Sequence, residues 1–488
     1  MLLLLLLVAA PHVHARSSHA WPQPIEALER VLYDFELEAA SAQAQGIAHT
    51  GLRHLYFTHA CFLGQVVRPS AANRSAFDAS ADRASSYFED QPATEFHRFA
   101  QAELALERAV VHVLEGENWT AAWQLRRCWA LAASLRTSQH PAPARLLGLF
   151  EVCLAALPNR YQWLLDWVGL RGNLTDGTRL LAASAQAPTF FRIQAQVLQV
   201  HVLRQLHGQP DRARELVRQQ QQAHPTSVLW NYLLAQLEVE QLRGMQAEAL
   251  LRAIEADAPK LPFIWWLMGR VALGKADLST AENAFIQFEK NYHGQLYRHD
   301  IGLRRAWVAG QQHNRAAVEA QLLKASRLPH PLIDEDRSAL KTLKLWRANS
   351  PTSRQTAWLK LRWALEGGWA EQAQELLTQL ATQKLGPDEQ TEWHYRQARL
   401  DHKQGRTPSA LSHYRKTRAQ PAPTNAWMQA ASWLYEGLLH EQERDYTAAA
   451  ACYRALLAYR DHPYQASLEQ KAQAGLLRVA DRKRSAAP

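Results

Sequence analysis

The chain has 488 residues, 47% hydrophobic and 21% charged, which is enough apolar material for a packed core and excludes wholesale disorder. Leu, Ala, Gln, Glu and Arg dominate while Val, Ile and Thr are sparse, so the composition predicts an all-α fold. The formal net charge of +9 is modest for this length, and Arg and Glu interleave along the helical stretches, so it reads as a solvated surface and gives no call for a nucleic-acid partner.

The first element is the apolar run Leu2 to Ala10, which has signal-peptide length and is too short to span a bilayer as a helix. Val13-His14-Ala15 follows, with small or apolar residues where a signal peptidase reads, and Ser18-His19-Ala20 is a second site. No Lys or Arg precedes the run, a departure from the usual signal. The expectation is removal of residues 1–15 (or 1–20) and a periplasmic or cell-envelope location, or a cytoplasmic one if the run is not a signal. No other stretch reaches the roughly 18 apolar residues of a membrane span.

Residues 25–187 read as a helical region that fits no repeat well. Ile25 to Ala44 and Gly51 to Val67 show helical apolar spacing. Asn73 to Gln91, rich in Ser, Ala and Asp, reads as a loop with a short helix. Phe96 to Leu114 and Trp119 to Leu135 make a hairpin.

From 188 to 330 the sequence repeats. Ala213, Ala247 and Ala281 lie 34 residues apart. Around the last of them Trp265 precedes Gly269 by four, and Phe285 and Phe288 follow it by sixteen and nineteen. This is the spacing of a tetratricopeptide helix pair, in which small residues let two helices cross and large ones fill the flanks. Asp277 and Ser279 mark the turn, with Ser279 and Glu282 spaced as a capping box. One repeat earlier Ala235, Ala247, Leu251 and Pro259 hold the equivalent places; before that, Ala213, Val217 and Pro225 fit while His201 is off-pattern. Further on the repeat is degenerate but visible, closing the 188–330 stretch with a fourth unit and running through 331–475 to a clean C-terminal repeat. Trp307, Ala316 and Pro329 suggest one unit, then Gly368-Trp369 with Ala373 and Leu377, then Ala398, Ala410 and Tyr414. Trp433, Gly437, Ala449, Tyr453 and Leu456 form a clean last unit. The basic residues Arg478, Arg482, Lys483 and Arg484 read as a frayed tail over 476–488.

Residues 146–181 carry a phrase of their own: Leu147-Gly148-Leu149-Phe150, Leu157-Pro158-Asn159-Arg160, then Trp167-Val168-Gly169-Leu170-Arg171-Gly172-Asn173 and Gly177. This resembles the inclusion body clearance family, the tetratricopeptide repeat protein 39 group, whose members place a similar segment just before their repeats. The resemblance runs from about Arg145 to Phe288. It implies an all-helical scaffold with no catalytic residues to carry over, and a membrane- or lipid-associated adaptor as the alternative role. The signal-like N-terminus makes the chain look like a bacterial exported relative.

No motif of catalysis, cofactor or metal binding emerges. Gly269 to Lys275 matches the first seven places of a phosphate-binding loop, but Ala276 stands where a Ser or Thr should hold magnesium, and the run falls on a helix and its turn. His49, His54 and His59 recur every five residues and drift around a helix instead of converging. There is no His-Glu-x-x-His and no Gly-x-Ser-x-Gly. Cys61, Cys128, Cys153 and Cys452 form no zinc spacing and read as small apolar residues.

A tetratricopeptide-type superhelix with a partner-binding concave face is therefore the expected architecture, its partner a protein or peptide. By the same resemblance the fourth place of a first helix packs inward and the fifth faces the groove. Trp265 holds the fourth place and Trp266 the fifth, with Arg270 one turn on. Tyr232 and Gln236 are the equivalents one repeat earlier, and Phe263 and Leu229 approach from the helix starts. If the export reading is right, N-terminal sequencing of the mature protein will begin near Arg16 or Trp21; an intact Met1 in a cytosolic fraction would overturn it.

Overall fold

The computed structural model describes residues 21–157, 172–349, 351–419 and 424–486. Leu2 to Ala10, both cleavage motifs, Pro158-Asn159-Arg160, Trp167 to Arg171 and residues 420–423 lie outside them. Among the described residues the fold is all-helical, and strand pairing is limited to one antiparallel bridge between Arg243 and Trp369. No helix among them is long and apolar enough to cross a membrane.

The N-terminal part comprises α1 (Glu26–Tyr33), α2 (Leu37–Gln45), α3 (Thr50–Val67), α4 (Ala71–Asp90), α5 (Glu95–Leu114), α6 (Asn118–Ala133), α7 (Pro143–Ala155) and α8 (Leu174–Gln186). Two sequence readings change here. The single helix expected from Ile25 to Ala44 is broken in two where Phe35 takes a left-handed φ of 59°. The loop expected over Asn73 to Gln91 is instead the long helix α4. Ser70 caps it by accepting the Asn73 N–H, and Phe77, Ala81, Ala84 and Phe88 bury one face at helical spacing. Of the Ser and Asp that suggested a loop, Ser80 shares the buried face by donating to the Phe77 carbonyl at 2.8 Å, and most of the others occupy the remaining faces.

The remaining helices are α9 (Arg192–Gln205), α10 (Pro210–Ala223), α11 (Val228–Glu240), α12 (Gly244–Ala253), α13 (Phe263–Gly274), α14 (Leu278–Asn291), α15 (Arg298–Gln311), α16 (Arg315–Ser326), α17 (Asp334–Ala348), α18 (Ser353–Glu366), α19 (Ala370–Ala381), α20 (Pro387–Lys403), α21 (Thr407–Ala419), α22 (Ala426–Gln442), α23 (Tyr446–Ala458) and α24 (Gln465–Ala486). Hairpins α5–α6, α9–α10, α11–α12, α13–α14, α15–α16, α18–α19, α20–α21 and α22–α23 share one turn. In each a left-handed residue stands two places before the second helix: Gly116, Gly208, Leu242, Ala276, His313, Gly368, Gly405 and Arg444 respectively. It ends the first helix and reverses the chain. In each the fourth residue of the second helix is the contact point: Ala121, Ala213, Ala247, Ala281, Val318, Ala373, Ala410 and Ala449. All seven alanines are fully buried.

This rule corrects three details. Asp277, not Ser279, caps α14, accepting the Thr280 N–H at 3.1 Å, while Ser279 lies inside the helix. Ala316 is exposed, and Val318 holds its unit's contact point. The rule also begins earlier than the sequence suggested, because α5–α6 obeys it. Gly177 is likewise the fourth residue of α8 and meets Gly148 of α7: a Cβ on either would fall within 2.9 Å of the other's carbonyl oxygen. Two glycines of the family-like phrase are thus a helix crossing.

Small-against-large packing recurs within the hairpins. A Cβ on Gly269 would sit 2.3 Å from the Phe285 ring, and one on Gly437 2.6 Å from Tyr453. Each pair is sixteen residues apart, the spacing seen in the sequence.

The second half of the chain folds back on the first. The turn Gly367-Gly368-Trp369 docks on α13 and on the start of α12: the Gly244 N–H donates to Gly368 O at 2.8 Å, and Trp369 Nε1 donates to Val271 O at 2.8 Å. The expected frayed tail is instead the ordered helix α24. Arg478 is buried, bonded to Glu441 at 2.6 Å and to the Leu206 carbonyl, and Thr175 donates to Asp481 at 2.5 Å. The apolar partners of α24, Ala474 and Leu477, pack with Val202 and Leu206.

Trp265 and Trp266 exchange their expected places. Trp266 is buried, 5% exposed, stacked on Tyr297 at 4.1 Å and donating to Asp300 at 3.4 Å, whereas Trp265 is half-buried at the edge of the core. Helix α15 packs across the face expected to be an open groove. Trp266→Ala is therefore expected to destabilise the protein by about 3–5 kcal/mol and Trp265→Ala by about 1–2 kcal/mol. Thermal melts of the two variants check the order.

Candidate functional site

The fold-back encloses a cleft of about 430 Å³. Its lining comes almost entirely from first helices of hairpins, the inner wall of the superhelix. Arg204 and Gln205 come from α9, Glu240 from α11, Arg270 from α13 and Glu366 from α18. Tyr395, Arg396, Arg399, His402 and Lys403 come from α20, and Trp427, Leu434, Tyr435, Leu438 and Gln442 from α22. Lys471 and Arg478 of α24 close one side, and the turn residues Gly208, Pro210 and Leu242 another.

The helical repeat places these side chains in register. Counting from the small residues Ala398 and Gly437, the places three before, one after and five after give Tyr395, Arg399 and Lys403, then Leu434, Leu438 and Gln442. All six line the cleft. Steps of four keep them on one helix face.

The cleft is strongly cationic. Seven Arg and Lys line it against two carboxylates, Glu240 and Glu366. Some of this charge is matched. Arg204 pairs with Glu240 at 2.9 Å, Arg396 with Glu392 and Arg478 with Glu441 at 2.6 Å. Glu366 accepts from Arg304 and Arg362, each at 2.7 Å, and Arg270 donates to its backbone carbonyl at 3.1 Å. Burial alone would raise the Glu366 carboxyl, but Arg362, Arg304 and Arg270 outweigh it and hold the group well below the usual carboxylate range.

Arg399, Lys403 and Lys471 are different. Among the described residues no carboxylate forms an ion pair with any of them within 4.0 Å. The Arg399 guanidinium lies 3.5 Å from the Tyr435 ring centre. Lys403 donates to Gln241 at 3.4 Å. Burial pushes the Lys403 ammonium down to about 8, with Arg399 adding to the effect against weaker support from Glu240 and Asp211. Burial likewise brings His402 down to about 3, helped by Arg399 and Lys403, so its ring is neutral. It is bonded to the Tyr414 hydroxyl at 3.1 Å. Burial would raise the Tyr435 phenol, yet Arg399 and Lys471 overcome it and lower it. The arrangement supplies an uncompensated positive field beside aromatic rings, suited to holding an anion.

Of the six residues expected to meet a partner, Arg270 lines this cleft. Leu229, Tyr232 and Trp266 are buried, and Gln236 and Phe263 half-buried. Gln236 donates to the Tyr232 hydroxyl at 3.0 Å, and Arg270 lies 4.6 Å from the Trp266 ring centre. Their side chains are largely spent on one another and on the next helices. The residues missed were the equivalent ones on α20 and α22, and the register count above was the signal that reaches them.

The phosphate-loop-like run lies on α13 and its turn. Lys275 pairs with Glu248 at 3.2 Å, and Gly274 packs against Gly367. The three histidines stay apart in role: His49 caps α3, His54 stacks on Tyr87, and His59 is buried between Tyr33 and Glu107. Cys128 and Cys452 are buried, and all four cysteines are free. Two clusters offer potential metal donors, Glu436–His440–Cys452 and His112–Glu115–Glu117. In each a glutamate is already taken by arginine: Glu436 by Arg415 and Arg418, Glu115 by Arg74.

Residues 145–264 match the family model described as Iml2/Tetratricopeptide repeat protein 39. No curated protein matches the chain. Among solved structures, the human IFIT1 dimer with PPP-AAAA is similar at 13% identity and a TM-score of 0.30, over 88% of this chain and 94% of that one. Yeast Tom70 is similar at 11% identity and a TM-score of 0.23, over 94% and 96%. The matched segment takes in α8 to α12 and the glycine crossing of α7 with α8, and the hairpin rule runs on beyond it to α23. The chain is an all-helical hairpin-repeat protein, and its residues 145–264 are similar to the Iml2/Tetratricopeptide repeat protein 39 family.

Proposed function

We propose that the protein is a non-enzymatic scaffold that takes an acidic protein or peptide segment into the cleft on its inner face. The observation that carries this is the set of unpaired cations, Arg399, Lys403 and Lys471, beside Tyr395, Trp427 and Tyr435. An acidic segment would supply the missing counter-charge, and the aromatic walls would pack its apolar parts. Arg270 extends the cationic wall toward the first half of the chain. Cell-envelope work after export is part of the same proposal, and rests on the Leu2 to Ala10 run.

A second reading, peripheral membrane association, has an observation of its own. Trp119 and Trp123, 71% and 60% exposed, sit one turn apart on α6, with Arg126 5.3 Å from the Trp123 ring centre. Exposed Trp beside Arg is the chemistry of a lipid headgroup boundary.

Labelled hexaglutamate is the direct probe of the cleft. It should bind in low salt, and Lys403→Met and Lys471→Ala should each weaken it by about tenfold, a loss of roughly 1.4 kcal/mol. Absence of binding, or binding indifferent to both substitutions, would overturn the cleft reading.

The same lysine makes a prediction about stability. A cation held without a carboxylate opposes folding, so Lys403→Met should stabilise the free protein by about 1–2 kcal/mol at neutral pH. Its folded pKa, about 8, lies below the unfolded value of 10.5, so the folded state sheds its proton first. The penalty is full below pH 8 and fades as pH rises toward 10.5. The advantage of the Met variant should shrink over that window, as melts across pH will show.

A further inference from the structure

Resting on the cleft reading, we infer that Lys403, Arg399 and Lys471 form a subsite for a phosphoryl group, with Tyr395, Trp427 and Tyr435 receiving the carbon skeleton that carries it. Arg399 and Lys403 are one turn apart on α20 and face the same cavity. Two like charges at that spacing repel, and no carboxylate forms an ion pair with either of them within 4.0 Å; Glu240 and Asp211 support Lys403 only weakly and at longer range. Lys471 enters the same cleft from α24, which packs against α22 and α23, and the charges of both Arg399 and Lys471 act on the Tyr435 phenol.

The number of unmatched charges decides the ligand class. Three cations converging from two helices exceed what one carboxylate neutralises. A phosphomonoester carries about −1.5 to −2 charge at neutral pH and three acceptor oxygens, enough to bridge both helices. The contrast with Glu366 is direct. Where this fold wants cations only for structure, it sets a carboxylate among Arg270, Arg304 and Arg362. On α20 it leaves the place of the carboxylate open to the cleft. The aromatic wall favours an aryl or other flat group next to the phosphate over a bare ion.

Phenyl phosphate is the probe, with benzoate as the matched monoanion and inorganic phosphate as the group without its skeleton. Binding to the full chain is read by tryptophan fluorescence and calorimetry. The expected order is phenyl phosphate tighter than benzoate by about tenfold or more, and tighter than inorganic phosphate. Lys403→Met and Lys471→Ala should each weaken phenyl phosphate about tenfold, while Lys360→Ala, on an exposed lysine outside the cleft, should not. Because Lys403→Met is expected to be more stable than the parent, its loss of binding would not be a loss of fold. Equal binding of phenyl phosphate and benzoate, or insensitivity to both substitutions, would overturn the phosphoryl assignment. If hexaglutamate still binds in a Lys403-dependent way while phenyl phosphate shows no preference, the phosphoryl subsite falls and the acidic-segment reading stands. If neither probe binds, both fall. A phosphotyrosine peptide against free phenyl phosphate then separates a protein-borne phosphate from a small ligand: peptide binding at least as tight supports a modified partner, and exclusion of the peptide supports a small molecule, each upholding the phosphoryl subsite.

Discussion

Four glycines hold the two halves of the chain together, and the cleft depends on them. Gly244, Gly274, Gly367 and Gly368 meet where the α18–α19 turn docks on α12 and α13. A Cβ on Gly367 would lie 2.8 Å from the Arg270 carbonyl oxygen and 2.9 Å from the Gly274 Cα. One on Gly274 would lie 2.7 Å from the Trp363 carbonyl oxygen, and one on Gly244 2.8 Å from the Trp369 ring. Backbones can approach this closely only without side chains between them. The contact skips over α14, α15, α16 and α17, so it is no ordinary step of the solenoid. It curls a stack of hairpins back on itself and turns an open concave face into a bounded chamber. The Glu366 cluster sits beside this junction and ties α13, α15 and α18 by charge.

Much of the local fold was legible in the sequence because it is set by short-range rules. Ala213, Ala247, Ala281 and Gly269 are small since helices cross at them, and that constraint shows as a period. The rest was hidden for physical reasons. Helix α4 is polar on all faces but one, and its four buried apolar residues are too few to outweigh a composition of Ser, Asp and Asn. Ala316 looked like an anchor because it is an alanine near the right place, but the turn rule puts Val318 there. The earlier start of the hairpin pattern was missed because Gly116 and Ala121 recur without large residues at the usual flanks.

The candidate site teaches a narrower lesson. The sequence reading places one face of each first helix toward a groove, at the positions three before and one after the small residue. It was applied to the cleanest repeats, those at Ala235 and Gly269. Clean repeats are clean because their inner places are filled by well-packed residues such as Tyr232 and Trp266. The repeats around Ala398 and Gly437 place Arg399, Lys403 and Leu438 at these inner places instead, where they line the cleft. Gly274 shows the same inversion. It stood in a false phosphate-binding motif, yet its real constraint is the backbone of Gly367, more than ninety residues away and invisible to any local pattern.

The charges of the inner wall divide into two kinds, those paired with carboxylates and those without one. Arg304 is fully enclosed, lies 4.3 Å from the Trp363 ring centre and has Asp300 at 2.8 Å and Glu366 at 2.7 Å. Such a cation is satisfied by the fold, and removing a partner would leave a buried charge unmatched. Arg399 is supported by the tyrosines Tyr395, Tyr414 and Tyr435, while Lys403 keeps a cost in solvation that Glu240 and Asp211 only partly offset; neither has a carboxylate in an ion pair. A helix can relieve that cost by a single Glu one turn away, as Arg396 is relieved by Glu392 on the same helix. That α20 does so at Arg396 and not at Arg399 and Lys403 is the reason to look outside the chain for the counter-charge.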